Sequence, residues 1–339
     1  MTTMRAWRVH GAGEPRDVLQ LDTLPAQVPG RTEVVVSVEG AALGFPDVML
    51  CEGTYHHKPA RPFTLGCEAV GTVVRAGEGA EGWLGRRVIV APLSYGCLAE
   101  EVLVGSQGLL PVPDTMPTAA AASLFMAYQT SAVALERRAR LAEGDTLVVF
   151  GATGGVGSAA VQLGRAMGAQ VVGVVGSPAK ADACARNGVD RVVDASCQDV
   201  VDAVLERTSG RGADVVFDPV GGALFDAAVR CTAVEGRIVA VGFASGVIPS
   251  LSVNRALMKN FDVIGFRLQP YREDFAFTRQ VHDDLLGRFT RGEVDPVIDA
   301  ECSLGEVPEA LADLKGRGVT GRKVVVLQPS GDATTGSRC

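Results

Sequence analysis

The stretch Gly144–Lys180, GDTLVVFGATGGVGSAAVQLGRAMGAQVVGVVGSPAK, limits the possible folds of this chain more than any other. Its first apolar run, Thr146 to Phe150, is short and β-branched, as a parallel strand buried on both faces requires. A glycine-rich turn, Gly151 to Gly157, follows. Val156, Ala159, Ala160, Leu163 and Met167 then recur on one helical face, and a second buried strand, Gln170 to Val175, ends at Gly176-Ser177. Strand, glycine turn, helix and strand within about 30 residues form a dinucleotide-binding βαβ unit. Gly154 lets the backbone approach a pyrophosphate, and Gly157 lets helix and strand pack closely. The amide groups of Gly155 and Val156 at the helix N-terminus hold the anion, helped by the helix dipole. Ala152 replaces the first glycine of the usual G-x-G-x-x-G, so the glycines alone are a weak signal; the flanking elements carry the reading.

A chain of 339 residues has room for two domains with sizeable cores. Its 47% hydrophobic and 21% charged residues fit a soluble globular protein, and a net charge of −7 argues against a nucleic-acid surface. No apolar run reaches membrane-spanning length and the N-terminus has no signal-type h-region, so the expected location is the cytoplasm, away from membranes. The eight cysteines make no Cys-x-x-Cys pair and are expected as reduced, mostly buried thiols.

Residues 1–118 are expected to form a β-rich domain. Its candidate strands are Met4–Val9, Glu33–Ala41, Ala69–Ala76, Arg87–Ala91 and Cys97–Val104, with a helix at Phe45–Cys51. An Ala-rich helix over Thr118–Arg140 leads into the second domain, residues 119–267. There, strands at 146–150, 170–175, 191–194, 214–217, 237–241 and 261–266 alternate with helices, predicting a doubly wound parallel α/β sheet. Residues 268–328 hold a helix over Arg272–Arg291, a helix over Val307–Lys315 and a strand over Lys323–Leu327. They are expected to complete the first domain, leaving 329–339 as a disordered tail.

Several motifs carry a resemblance to the zinc-free, zeta-crystallin-like quinone oxidoreductases of the medium-chain dehydrogenase/reductase superfamily. They are Gly66-Cys-Glu-Ala-Val-Gly71 with Gly77, the run Gly144–Gly157 with Gln162 and Arg165, Asp214-Val-Val-Phe-Asp-Pro-Val-Gly-Gly222, and Val241-Gly-Phe-Ala-Ser-Gly246. The resemblance implies a GroES-like catalytic domain interrupted by a Rossmann domain, a substrate cleft between them, and a homodimer or homotetramer that pairs through the Rossmann sheet. It also implies cofactor contacts from Phe45, Asp47, Thr130, Val220, Gly242, Phe243, Ala244 and Phe266. Thr130 fits equally a helix hydroxyl bonded to its own backbone.

An NAD site needs a carboxylate about 20 residues past the glycine turn. Ser177 stands there, and Ser177 with Lys180 suits the phosphate of NADPH. Ser177 as a plain helix N-cap before a surface lysine is compatible with that reading. In relatives a C-terminal arginine, matched by Arg317, completes the phosphate pocket; Arg322 and Lys323 either substitute for it or face solvent. The tyrosine common further along in relatives is Ala195 here.

Zinc-dependent relatives take ligands from positions that read Gly44 and Cys67 in this chain. Gly44 has no ligand atom, and three protein ligands are usual for a catalytic zinc, so metal-independent chemistry is expected. His56-His57 read as loop residues. Tyr55 follows Asp47 at the spacing of the enoyl-reductase branch and is the candidate proton donor, or else an aromatic lining the pocket. The expected activity is NADPH-dependent reduction of a quinone. The alternatives are reduction of a conjugated C=C bond in an enoyl thioester or 2-alkenal, and a non-catalytic nucleotide-binding structural or RNA-binding role.

Overall fold

A computed structural model describes residues 3–327. It divides into two compact units. One holds the residues up to Ala122, Ala300–Gly316 and the chain from Lys323; the other holds Ser123–Asp299 and Arg317–Arg322.

The first unit is built on strands β1 (Thr3–Val9), β2 (Leu19–Pro25), β3 (Glu33–Leu43), β4 (Phe63–Thr64), β5 (Ala69–Ala76), β6 (Arg87–Val90), β7 (Glu101–Gly105) and β8 (Leu110–Pro111). The second unit's sheet uses β9 (Thr146–Phe150), β10 (Gln170–Val175), β11 (Arg191–Asp194), β12 (Ala213–Asp218), β13 (Thr232–Ala240) and β14 (Asp262–Gly265). Two late strands, β15 (Ile298–Cys302) and β16 (Arg322–Val326), join the seven-stranded sheet of the first unit, whose order is β15-β16-β3-β5-β6-β8 with β7 also on β3. A smaller sheet runs β2-β1-β4.

The long strand β3 organises the first unit. It pairs antiparallel with β5, β7 and β16, and Val34, Val35 and Val36 are all fully buried, because the sheet is covered on both faces there. Gly71 of β5 is required: a Cβ there would fall on the Ser37 carbonyl. The buried Arg87 is fully used, donating to Glu39 (2.8 Å), the Met116 carbonyl (2.6 Å) and the Thr118 hydroxyl (3.1 Å). It thereby fixes the start of the helix Thr118–Ser123. Cys97–Ala99, expected in a strand with β7, serves elsewhere. Leu98 exchanges backbone bonds with Trp7 and Leu65, and Ala99 bridges Ala6. The strand β2 carries only a weak apolar pattern, because its side chains are mostly half-buried or exposed.

In the second unit all six expected strands form a parallel sheet of order β11-β10-β9-β12-β13-β14. The chain starts at the centre, winds to one edge, returns and winds to the other, so the loops after β9 and β12 flank the point of reversal. Val148, Phe150, Val172, Val174, Val216 and Ile238 form its core with Val204 and Phe225 of the covering helices. Each such burial contributes about 1.5–3 kcal/mol. Asp199 caps the helix Val200–Arg207 by accepting from Val201 and Asp202.

The division departs from the expected one at its C-terminal side. Residues 268–299 were expected in the first domain, yet they pack with the second unit. The Thr278 carbonyl accepts from Gln129 (3.2 Å), Arg288 pairs with Glu136 (3.0 Å), and Asp295 exchanges two bonds with Gln162. The expected helix is present and starts three residues later, as Phe275–Thr290 with Asp274 as its N-cap; a separate short helix, Gln269–Arg272, precedes it. The Ala-rich segment after Ser123 winds with wider, π-type turns at Phe125–Gln129 and Val133–Arg138. The tail expected to be disordered lies outside the described residues. Among the described residues no helix is long and apolar enough to cross a membrane.

Candidate functional site

The glycine turn sits between the end of β9 and the helix Gly155–Ala166. Gly151 has φ 58°, a left-handed conformation that glycine adopts without strain. Gly154 N–H returns to the Gly151 carbonyl (2.9 Å), closing the turn. A Cβ on Gly157 would collide with that same carbonyl, whereas a Cβ on Gly154 would meet only the Gly151 oxygen at 3.4 Å. The two glycines therefore do different work. Gly157 is needed for the fold of the turn, and Gly154 leaves clear the space that a side chain would fill. Ala152 in place of the first glycine is accommodated by Gly173 of β10: a side chain at 173 would reach 3.2 Å from the Ala152 methyl.

Helix Gly155–Ala166 is pinned through Gln162, whose amide is used four times. It accepts from Tyr128 Oη (2.6 Å) and Asp295 N–H (2.9 Å), and donates to Asn187 (2.8 Å) and the Asp295 carbonyl (2.8 Å). Burial pushes the Tyr128 hydroxyl's pKa well above that of an ordinary phenol, so it stays a donor. Ser131 Oγ donates to the Val156 carbonyl (2.9 Å), tying the first helical turn to the segment that begins at Thr130. Thr130 itself is half-buried.

Beyond β10, Ser177 is the half-buried N-cap of a short turn, Pro178–Lys180, and makes no side-chain capping bond. Lys180 Nζ donates to the Arg317 carbonyl (2.6 Å), and the Arg317 guanidinium donates to the Ala244 carbonyl (2.9 Å). Partial burial, then the neighbouring Arg317, lowers the Lys180 pKa. Ser177, Lys180, Arg317 and Ala244 are thus gathered at the ends of β10 and β13 by the returning segment Arg317–Arg322. That segment also grips the glycine turn: Gly321 N–H donates to the Thr153 carbonyl (2.6 Å), and Gly154 and Gly321 form a parallel bridge. A hydroxyl and two cations on segments that meet at a helix N-terminus fit a phosphate-bearing dinucleotide. Neither Arg322 nor Lys323 faces solvent. Arg322 is 8% exposed, with its Cδ 2.6 Å from where a Gly155 Cβ would lie, and Lys323 pairs with Asp313 at 2.7 Å.

The loops after β12 and β13 hold each other. Asp218, buried, accepts from Val220 and Gly221 N–H (both 2.8 Å), and burial raises its pKa. Ala244 N–H donates to the Pro219 carbonyl (3.1 Å) and Ser245 N–H to the Val220 carbonyl (2.9 Å). Val220 and Gly242 are half-buried here and Phe243 is 40% exposed. Phe266, 7% exposed, follows β14 and stacks on Tyr271 with ring centroids 5.8 Å apart.

In the first unit, the half-buried Phe45 opens the helix Phe45–Glu52. Asp47 is fully buried; one oxygen accepts from Gly44 N–H (2.8 Å) and the other lies 3.6 Å from Cys67 Sγ. Its carboxylate thus shapes the start of the helix and holds the loop bearing Cys67. Tyr55, half-buried, lies just beyond that helix with its ring 4.1 Å from the ring of His56. Among the described residues no three His, Cys, Asp or Glu side chains are placed to share a metal ion.

Comparison with known proteins agrees with this architecture. Residues 30–114 match the family model "Alcohol dehydrogenase GroES-like domain" and residues 155–280 the model "Zinc-binding dehydrogenase". A quinone oxidoreductase-like protein 2 homolog of Nematostella vectensis is 33% identical over 87% of this chain and 82% of its own. A quinone oxidoreductase of Pseudomonas aeruginosa is 30% identical over 93% of this chain and 97% of its own. A mycobacterial protein solved in complex with NADPH superposes with a TM-score of 0.88 at 27% identity, covering 96% of this chain and 100% of its own. With its six-stranded sheet, its glycine turn and these similarities along most of its length, the chain belongs to the quinone oxidoreductase family of the medium-chain dehydrogenase/reductases.

Proposed function

We propose that the protein is an NADPH-dependent reductase of quinones that works without zinc. The observation that carries this reading is the cluster of Ser177, Lys180 and Arg317 beside the glycine turn, in a chain with no carboxylate at Ser177. The N-terminus of the helix Gly155–Ala166 receives the pyrophosphate, and Lys180 and Arg317 neutralise the additional phosphate. Gly242, Phe243 and Ala244, with Val220 and Phe266, line the nicotinamide end, and Phe45, Asp47 and Thr130 shape its surroundings. When bound, the nicotinamide supplies a hydride to an electron-poor acceptor. Tyr55 gives a proton to the oxygen left negative on that acceptor. Gly44 offers no ligand atom, and the thiol of Cys67 is turned to Asp47, so charge on the acceptor is met by hydrogen-bond donors instead of a metal.

The test is oxidation of NADPH and NADH by purified protein with a 1,4-quinone and with a 2-alkenal, before and after chelation. Quinone-dependent oxidation that prefers NADPH and survives chelation is expected. Turnover of the alkenal alone, or loss of activity on chelation with recovery on added zinc, would overturn the reading.

One of the two edges of the second unit's sheet carries exposed apolar side chains. β14 is the last strand, Val263 on it is 43% exposed, and Val253, Leu257 and Met258 on the adjacent helix Val253–Lys259 are more than 70% exposed. An apolar edge of this kind is covered by a second copy in the proposed homodimer. Leu257→Glu with Val263→Lys should convert the dimer to a monomer in light scattering; a wild-type monomer would refute the assignment.

A further inference from the structure

The segment Arg317–Arg322 belongs to the second unit, and its two halves serve different parts of the cofactor cradle. At its start the Arg317 carbonyl accepts from Lys180, and the Arg317 guanidinium donates to the Ala244 carbonyl. At its end Gly321 N–H donates to the Thr153 carbonyl of the glycine turn, and Arg322 N–H to the Val297 carbonyl (2.8 Å). Thr320 stands between them. Its N–H and its hydroxyl both donate to one carboxylate oxygen of Asp299, at 2.9 and 3.1 Å.

The backbone of this segment is under constraint. Arg317 has φ 57°, a left-handed conformation that costs a residue with a side chain, and Gly321 has φ 100°. A Cβ on Gly321 would collide with the Val297 carbonyl, so the segment lies directly on the chain that leads into β15. A strained residue persists only where its surroundings fix it. Asp299 is an exposed residue of β15 and acts electrostatically on Lys180. A carboxylate close to a phosphate-binding cluster repels the ligand's charge, so its place there is explained by what it holds.

We propose that Asp299 is a positioning residue for NADPH: by holding Thr320 it fixes residues 317–320, so that Arg317 and Lys180 meet the cofactor's additional phosphate together. The inference rests on the phosphate reading of Lys180 and Arg317 above and deepens it. As an acceptor, Asp299 anchors the half of the segment that carries Arg317, while Gly321 and Arg322 keep their own backbone bonds to Thr153 and Val297. Loss of the anchor therefore loosens the phosphate end and spares the glycine turn, which NADH uses as well. As a charge, Asp299 works on the Lys180 ammonium. Partial burial lowers the Lys180 pKa most and Arg317 lowers it further, whereas Asp299 raises it. The carboxylate thus keeps Lys180 charged to higher pH while Arg317 is held beside it.

The experiment measures Kd for NADPH and for NADH by fluorescence, from neutral to alkaline pH, in wild type, Asp299→Ala, Asp299→Asn and Lys180→Met. At neutral pH Asp299→Ala should weaken NADPH binding roughly fivefold or more and NADH binding less than about twofold. Asp299→Asn keeps an oxygen that accepts from Thr320 and should recover most of that loss. The same variant lacks the charge, so its preference for NADPH should fade at lower pH than that of wild type; a merely structural role moves no such profile. Equal weakening of both cofactors in Asp299→Ala, unchanged NADPH binding, no recovery in Asp299→Asn, or an Asp299→Asn profile that coincides with wild type would overturn the inference. Lys180→Met tests the underlying reading separately. If it loses the preference for NADPH while Asp299→Ala keeps it, only the role of Asp299 falls; if it keeps the wild-type ratio, the phosphate reading and this inference fall together. Should Asp299→Ala fail to fold, the pH profile of Asp299→Asn decides alone.

Discussion

The two chemically equipped regions of this protein are made by opposite means. The glycine turn of the second unit works through backbone: Gly151, Gly154 and Gly157 place carbonyls and amides, and side chains are mostly absent from it. The loops of the first unit instead bring side chains together: His57 Nδ1 lies 3.1 Å from Tyr95 Oη, 38 positions along the chain. A backbone site tolerates no added atom at its tight positions but gives no detailed selectivity. A side-chain arrangement loses one contact at a time. Adding an atom to the turn should therefore remove function, while removing a side-chain contact should change it by degrees.

The largest expected effect follows from that contrast. Gly157→Val drives a side chain into the Gly151 carbonyl. Overpacking of this kind costs about 1–3 kcal/mol of stability. Displacing the turn by about 1 Å should lower kcat/KM for NADPH roughly 100-fold. Gly154→Ala meets only a 3.4 Å neighbour. It should melt close to wild type, yet bind NADPH more weakly, because the methyl stands where the ligand approaches. A Gly154→Ala protein as unstable as Gly157→Val would break the distinction between the two glycines.

Next in size is the phosphate cluster. Lys180→Met removes one charged hydrogen bond of about 1.5–3 kcal/mol and should weaken NADPH binding roughly 10–100-fold while sparing NADH. Equal weakening of both cofactors would show that Lys180 only supports the loop. A smaller, related effect depends on pH. Burial and Arg317 lower the Lys180 pKa, so its ammonium is lost at less alkaline pH than that of a free lysine. Preference for NADPH over NADH should shrink as pH rises into the alkaline range, and Lys180→Arg, which stays charged, should flatten that profile.

Much of the second unit was legible beforehand, because its signals are local. A buried parallel strand is a short apolar run, and the turn that follows needs glycine at fixed offsets; all six expected strands are present. The signals failed where a residue's partner is distant. Arg322 was left undecided because nothing near it shows that it packs on Gly155. Tyr95 was not singled out, and its imidazole partner lies 38 positions away. Residues 268–299 were expected in the other domain because a lone amphipathic helix does not reveal which core receives it. Only contacts such as Gln129 to Thr278 and Gln162 to Asp295 place it.

The sequence alone determined the α/β class, the doubly wound order and the position of the glycine turn, since each follows from periodicity and from the steric demands of neighbouring residues. The tertiary structure decided which cations gather at the ends of β10 and β13, which segment latches the turn, and which imidazole faces which phenol. Those pairings depend on where distant segments are brought by core packing, and no local pattern of residue types records that.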